Sequence, residues 1–215
     1  MPSRGLMLTY HIIKTLIRTV MLLLSRASVR GRELVPRSGG AVVVCNHLSG
    51  VDAAVLVGVF PRPLVLMSKV ENYRGVLKFF MRLVGAFTVR RGQIDREALR
   101  TAERALAAGR LLCIFPEGTR GGGALVEAHG GAAMLAIRTG APIIPVAITG
   151  TPQIFLRRFP WLGFPRVTVT IGEPFLLGSA SGAPRRDERE RMTEEIMARI
   201  AALLPLEMRG RYSHA

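Results

Sequence analysis

The apolar positions along the chain fall into two regimes. Residues Leu6–Leu24 are largely apolar, and Arg4, His11, Lys14 and Arg18 follow one another at spacings of seven, three and four. At about 100° per residue these four fall in one narrow stripe of a helix, with apolar residues around the rest. The segment Ser25–Arg37 carries Arg26, Arg30, Arg32 and Arg37 against Glu33 alone and reads as a basic connector.

From there the pattern changes to short apolar runs alternating with helical stripes. Strands are predicted at Ala41–Cys45, Leu64–Met67, Ala86–Arg90, Leu111–Phe115, Ile143–Ile148 and Arg166–Ile171. A helix over Asp95–Ala108 has Ala98, Leu99, Ala102, Ala105 and Leu106 on one face, and Gly109 is placed to end it. Gly131–Thr139 is a short small-residue helix. Arg185–Leu204 is a final one, with Met192, Ile196, Ile200, Leu203 and Leu204 on one face. Gly178–Ala183 is a linker. The alternation predicts an α/β layer fold. The expected organisation is an amphipathic membrane-associating helix in residues 1–30, a core in 31–178, and a linker with a C-terminal helix in 179–215.

Composition narrows the partners. The 215 residues are 49% hydrophobic, enough for a sizeable core. No charge-free run reaches the roughly 18 residues of a spanning helix. The formal net charge is +15, and lysine occurs only at Lys14, Lys69 and Lys78, so the excess is arginine. Such a balance favours anionic partners: anionic lipid, a phosphorylated substrate or nucleic acid. Nucleic acid is the weaker expectation, because no recognised binding motif occurs and aromatics for stacking are few. The two cysteines, Cys45 and Cys113, sit in apolar runs and read as core residues in a reducing compartment.

The candidate chemistry begins at Asn46-His47-Leu48-Ser49-Gly50-Val51-Asp52, where a strand ends and a helix is expected near Ser49. His47 then sits in a strand-to-helix turn. On a continuous helix, residues five apart point about 140° away from each other, so a turn is needed for His47 and Asp52 to meet. If they meet, Asp52 fixes the imidazole tautomer and His47 becomes a general base. The competing reading is structural: Ser49-Gly50-Val51-Asp52 also matches a helix-capping signature. A second cluster is Phe115-Pro116-Glu117-Gly118-Thr119-Arg120, followed by Gly121–Gly123. Exposed backbone N–H groups and a guanidinium suit a phosphate, although an ordinary turn with a surface Glu–Arg pair has the same letters. A third is Gly85–Gly92, with Arg90 and Arg91 at a strand end. Lys69 closes the second strand.

Taken in order, these motifs resemble the glycerolipid acyltransferase family that includes the 1-acyl-sn-glycerol-3-phosphate acyltransferases. Asn46-His47-x4-Asp52 matches the first motif of that family, and Gly85–Arg91 resembles the second, with Arg91 on its arginine position. Phe115–Arg120 matches the third, and Ala141-Pro142-Ile143-Ile144-Pro145-Val146 resembles the fourth. The resemblance spans about Gly31 to Glu173. It departs at Gly121, at Leu125–His129 and at Arg90, where the family often has Ser, a Phe-Lys pair and an acid.

The resemblance implies a central mixed sheet flanked by helices. It also implies direct transfer of an acyl group from acyl-CoA or acyl carrier protein to the hydroxyl of lysophosphatidate, with glycerol-3-phosphate or another lyso-lipid as the alternative acceptor. His47 and Asp52 would be catalytic, and Asn46, Lys69, Arg91, Glu117, Gly118, Thr119 and Arg120 would bind substrate. No metal or cofactor beyond the thioester is implied. A hydrolase using the same His–Asp pair on lipid esters is the rival within lipid chemistry. With Lys14 and Arg18 each costing about 2.5–3.5 kcal/mol at a bilayer centre, the first helix is expected to lie in the interface rather than span it. The expected location is the cytoplasmic face of the cell membrane, held by anionic headgroups.

Overall fold

The computed structural model describes residues 4–24, 26–69, 78, 81, 84–89, 95–119, 122–156, 165–178 and 186–213. Helix α1 (Arg4–Leu24) leads into strand β1 (Arg26–Arg30), and β2 (Ala41–Cys45) precedes helix α2 (Asp52–Val59). Strands β3 (Leu64–Lys69) and β4 (Phe87–Val89) are followed by α3 (Arg96–Ala107) and β5 (Leu111–Ile114). Helix α4 (Gly131–Thr139), strand β6 (Ile143–Thr149), the short helix α5 (Gln153–Leu156), strand β7 (Arg166–Ile171) and helix α6 (Arg186–Ala202) complete the order.

The strands form one seven-stranded sheet in the order β1-β7-β6-β2-β5-β3-β4. Every pairing is parallel except β6 with β7. Central parallel strands are covered on both faces, and β2 and β5 accordingly read as unbroken apolar runs with every residue buried. Alternate residues feed two cores. Val43, Cys45, Leu66 and Cys113 pack with α2 and with Tyr10 of α1. Val42, Val44, Leu112 and Ile114 pack with Ala102 and Leu106 of α3, α4, and Ile196 and Ile200 of α6. Asp95 caps α3 by accepting the Ala98 N–H at 3.0 Å.

Three local expectations change. Residues 26–30, expected to belong to a basic connector, form an edge strand pairing in parallel with β7. Its Arg-Ala-Ser-Val-Arg sequence alternates, but with only Ala27 and Val29 as apolar positions among charges, and its exposed arginines protect a sheet edge from further pairing. Helix α2 begins at Asp52 rather than near Ser49, so Ser49 to Val51 are turn. The described part of the predicted 86–90 strand is Phe87–Val89, and Arg90 lies outside the described residues.

Helix α1 is amphipathic in a different sense from its charge stripe. The Lys14 ammonium turns inward and donates to the Phe60 carbonyl at the end of α2 at 2.5 Å, and the Tyr10 hydroxyl accepts the Leu64 N–H at 3.0 Å. Tyr10 is buried, and Ile17 packs on the same core. The outward face therefore carries Leu8, Ile12 and Leu16, each about 60% exposed, beside the exposed His11 and Arg18. Among the described residues no helix is long and apolar enough to cross a membrane.

Candidate active site

The site lies at the carboxyl ends of the parallel strands. The chain leaves β2 towards β3 on one side, and later crosses back from β5 to β6 on the other. Crevices at such reversals are the usual ligand sites of open α/β sheets.

Asn46 is the first residue beyond β2. It is buried, and its amide makes a two-way pair with the Ile148 backbone: Nδ2 donates to the carbonyl at 3.0 Å and Oδ1 accepts the N–H at 2.8 Å. This pins the start of the turn to β6. The turn then returns the chain so that His47 Nδ1 lies 2.8 Å from Asp52 Oδ2. The same oxygen accepts the Leu48 and Ser49 N–H groups at 2.6 and 2.8 Å. Asp52 thus satisfies backbone N–H groups of the turn ahead of α2, rather than capping the helix itself, and also bonds the histidine.

A carboxylate oxygen can only accept, so the arrangement places the proton on Nδ1 and leaves the Nε2 lone pair free. Asp52 is fully buried and the His47 side chain is 19% exposed, so the carboxylate is shielded while the ring reaches the surface. Phe115, just after β5, stacks on the ring with centroids 4.2 Å apart and 23° between planes.

Glu117 is buried as well. Its Oε1 accepts the His47 N–H at 2.9 Å and its Oε2 accepts the Val126 N–H at 3.3 Å. Burial pushes its carboxyl up, and the two N–H groups oppose that shift. Gly118 closes the turn in the left-handed region at φ 65°, with its N–H on the Phe115 carbonyl, a conformation glycine adopts without strain. Thr119 is exposed beyond it. Of Lys69 the structure describes the backbone at the end of β3. Arg91 and Arg120 lie outside the described residues.

Beside this edge, under α3, α4 and α6, is a cavity of about 610 Å³. Met67, Val89, Leu99, Ile114 and Leu135 give it apolar walls, and Phe115 lines it while stacking on His47. The sequence offered no sign of this cavity, nor of the Phe115 contact. Both cysteines are buried, with thiols pushed up by burial, that of Cys113 to about 12, so neither supplies a thiolate nucleophile near neutral pH. Among the described residues no three or more His, Cys, Asp or Glu side chains gather as a metal site would require.

The fold is an α/β layer architecture in which a surface-reaching imidazole, bonded at one nitrogen to a buried carboxylate, sits at the carboxyl edge of a largely parallel sheet. The acyltransferase family model matches residues 26–149, from β1 to the end of β6. The chain belongs to the acyltransferase family, and it is an O-acyltransferase. It is 27% identical over 199 residues to the 1-acyl-sn-glycerol-3-phosphate acyltransferase of Bacillus subtilis, covering 90% of this chain and 96% of that protein. It is 28% identical over 133 residues to the enzyme of the same name from Borreliella burgdorferi, covering 60% of this chain and 53% of that one. An uncharacterised protein of Mycobacterium tuberculosis is 32% identical over 162 residues, which cover 67% of this chain and 43% of that protein. The fold is that of the crystal structure of the 1-acyl-sn-glycerophosphate acyltransferase PlsC from Thermotoga maritima. There the TM-score is 0.66 at 24% identity, over 90% of this chain and 79% of that one.

Proposed function

We propose that this enzyme transfers a fatty acyl group from a thioester, acyl-CoA or acyl carrier protein, to the free hydroxyl of lysophosphatidate, giving phosphatidate. The observation that carries the reading is the 2.8 Å bond between His47 Nδ1 and Asp52, which leaves Nε2 as the free base. The names of the Bacillus and Borreliella relatives support the acceptor.

In this mechanism Nε2 removes the hydroxyl proton as the acceptor oxygen attacks the thioester carbonyl. Asp52 stabilises the imidazolium that forms. The tetrahedral intermediate collapses with cleavage of the C–S bond, and the thiolate leaves with the proton returned from Nε2. No covalent acyl-enzyme is needed. Lys69, Arg91 and Arg120 supply cations for the acceptor phosphate, and Gly118 and Thr119 contribute to its binding. The acyl chain runs past Phe115 into the apolar cavity, whose size suits a lipid tail.

The acceptor is a membrane lipid, and α1 is the surface that meets the membrane. Leu8, Ile12 and Leu16 enter the headgroup boundary, and the exposed arginines of α1 and β1 lie against anionic lipid at the cytoplasmic face.

The test is thioester consumption with a panel of acceptors: lysophosphatidate, glycerol-3-phosphate, other lyso-lipids, and none. Consumption that depends on lysophosphatidate and yields phosphatidate is the expected result. Release of free fatty acid without an acceptor would instead mark a hydrolase.

A further inference from the structure

We infer that Glu117 is a positioning residue rather than an acceptor ligand: it ties the His47 turn to the loop at Val126, and the C-terminal segment braces that loop from behind. This rests on the reading of His47 as the base.

The bonds form a continuous path. Glu117 receives the His47 N–H on one oxygen and the Val126 N–H on the other. The adjacent Leu125 N–H donates to the Met208 carbonyl at 2.9 Å, and the His129 N–H to the Pro116 carbonyl at 2.9 Å. The loop 125–129 is thus bonded to the Phe115–Glu117 turn at two places and to the C-terminal segment at a third. That segment follows α6 as two 3-10 turns, Leu206–Met208 and Gly210–Tyr212, with Tyr212 buried. Gly210 makes the close approach possible. Its φ is 54°, and a Cβ there would collide with the Leu125 carbonyl oxygen.

Two facts argue against Glu117 as a ligand of the acceptor. It is 3% exposed, with both oxygens turned to backbone donors inside the protein. The acceptor's phosphate is an anion, and a carboxylate beside it would repel it. What the carboxylate can do is accept two N–H groups together. Neither Gln, with one acceptor oxygen, nor Asp, with a shorter reach, reproduces that.

The test combines steady-state kinetics with substrate-free NMR of the His47 ring resonances, assigned by their absence in His47→Ala. Glu117→Gln should lower kcat about 10–10²-fold, since small displacements of a catalytic group have effects of that order. The acceptor KM should stay within about twofold. The His47 ring resonances should shift, because the Glu117 bond that holds its backbone N–H is weakened. Glu117→Asp should recover part of kcat. Gly210→Ala, which lifts the brace without touching the site, should shift the His47 resonance and lower kcat to a smaller degree. A raised acceptor KM with kcat and the His47 resonances unchanged would overturn the inference for Glu117. A folded Gly210→Ala protein with unaltered resonance and kcat would overturn it for the brace. The NMR arm needs no substrate, so it decides the inference even if the panel above identifies another acceptor.

Discussion

His47 is held at Nδ1 by Asp52, and the proposed chemistry rests on its other ring nitrogen, which has no hydrogen bond among the described residues. Asp52 Oδ2 has three donors on it, while Oδ1 is buried with no partner among the described residues. In Asp52→Asn the amide oxygen can replace Oδ2, but the NH2 group then occupies the buried position without an acceptor, and the charge facing the imidazolium is gone. We expect a loss of stability of about 1–3 kcal/mol, and a fall in kcat of at least about 10²-fold, read from denaturant melts and initial rates. Arg120→Ala should act on binding instead. A charged hydrogen bond to phosphate contributes roughly 1.5–3 kcal/mol, so the acceptor KM should rise about tenfold or more with the donor KM unchanged. A change confined to the donor KM would move Arg120 to the thioester carrier.

Glu117 makes a further prediction through its raised pKa. Between its ordinary value of 4.5 and the raised one, the folded state holds a proton that the unfolded chain has released. Stability should therefore fall as pH rises across that window, and Glu117→Gln should lack that fall. Melting curves of the two proteins across the window compare the slopes. The sequence pointed to His47, Asp52 and Glu117 as candidates, and the structure shows their hydrogen-bond partners. The need for a turn between His47 and Asp52 was legible from spacing, while their pairing came from the family resemblance. The partners of Asn46 and Glu117 were not, because residue order does not reveal that both side chains finish the backbone hydrogen bonding of neighbouring loops.

At the scale of elements, the strongly periodic ones were legible and the edges were not. Unbroken apolar runs gave β2 and β5 because those strands are buried on both faces. Strand β1 stayed hidden because an edge strand needs few apolar residues and benefits from charge. Helix α1 shows a subtler effect. Spacing grouped Lys14 with His11 and Arg18, but a lysine stem can bury while its ammonium finds a carbonyl, and here it reaches Phe60. That turns Leu8, Ile12 and Leu16 outward. Since Tyr10 and Ile17 of this helix belong to the core, point substitutions are a cleaner test of membrane contact than truncation. Replacing Leu8, Ile12 and Leu16 by Ser should leave the fold intact and weaken flotation with anionic liposomes. Unchanged flotation would remove α1 from the membrane contact.

Across the whole molecule, a largely parallel sheet brings the ends of β2, β3, β4 and β5 to one edge, and with them motifs separated by up to about seventy residues of chain. The order of the motifs was visible in the sequence. Their convergence, the cavity beside them and the C-terminal segment behind them required the fold, because strand order is set by long-range pairing that local patterns do not encode. The cavity carries its own prediction. Ala102 lines it from α3, and Ala102→Phe should shift preference towards shorter acyl thioesters, measured as the ratio of kcat/KM for short and long chains. The +15 charge should make liposome binding partly salt-sensitive, with the apolar stripe of α1 accounting for what remains.

We propose that His47 acts as the general base while the acyl group passes directly from the thioester to the hydroxyl of lysophosphatidate. The most direct measurement is phosphatidate formation by mass spectrometry from acyl-CoA or acyl carrier protein and lysophosphatidate, comparing the native enzyme with His47→Ala of verified fold. The account predicts product with the native chain and a loss of about 10²–10⁴-fold in the variant. Near-native phosphatidate formation by folded His47→Ala would contradict it.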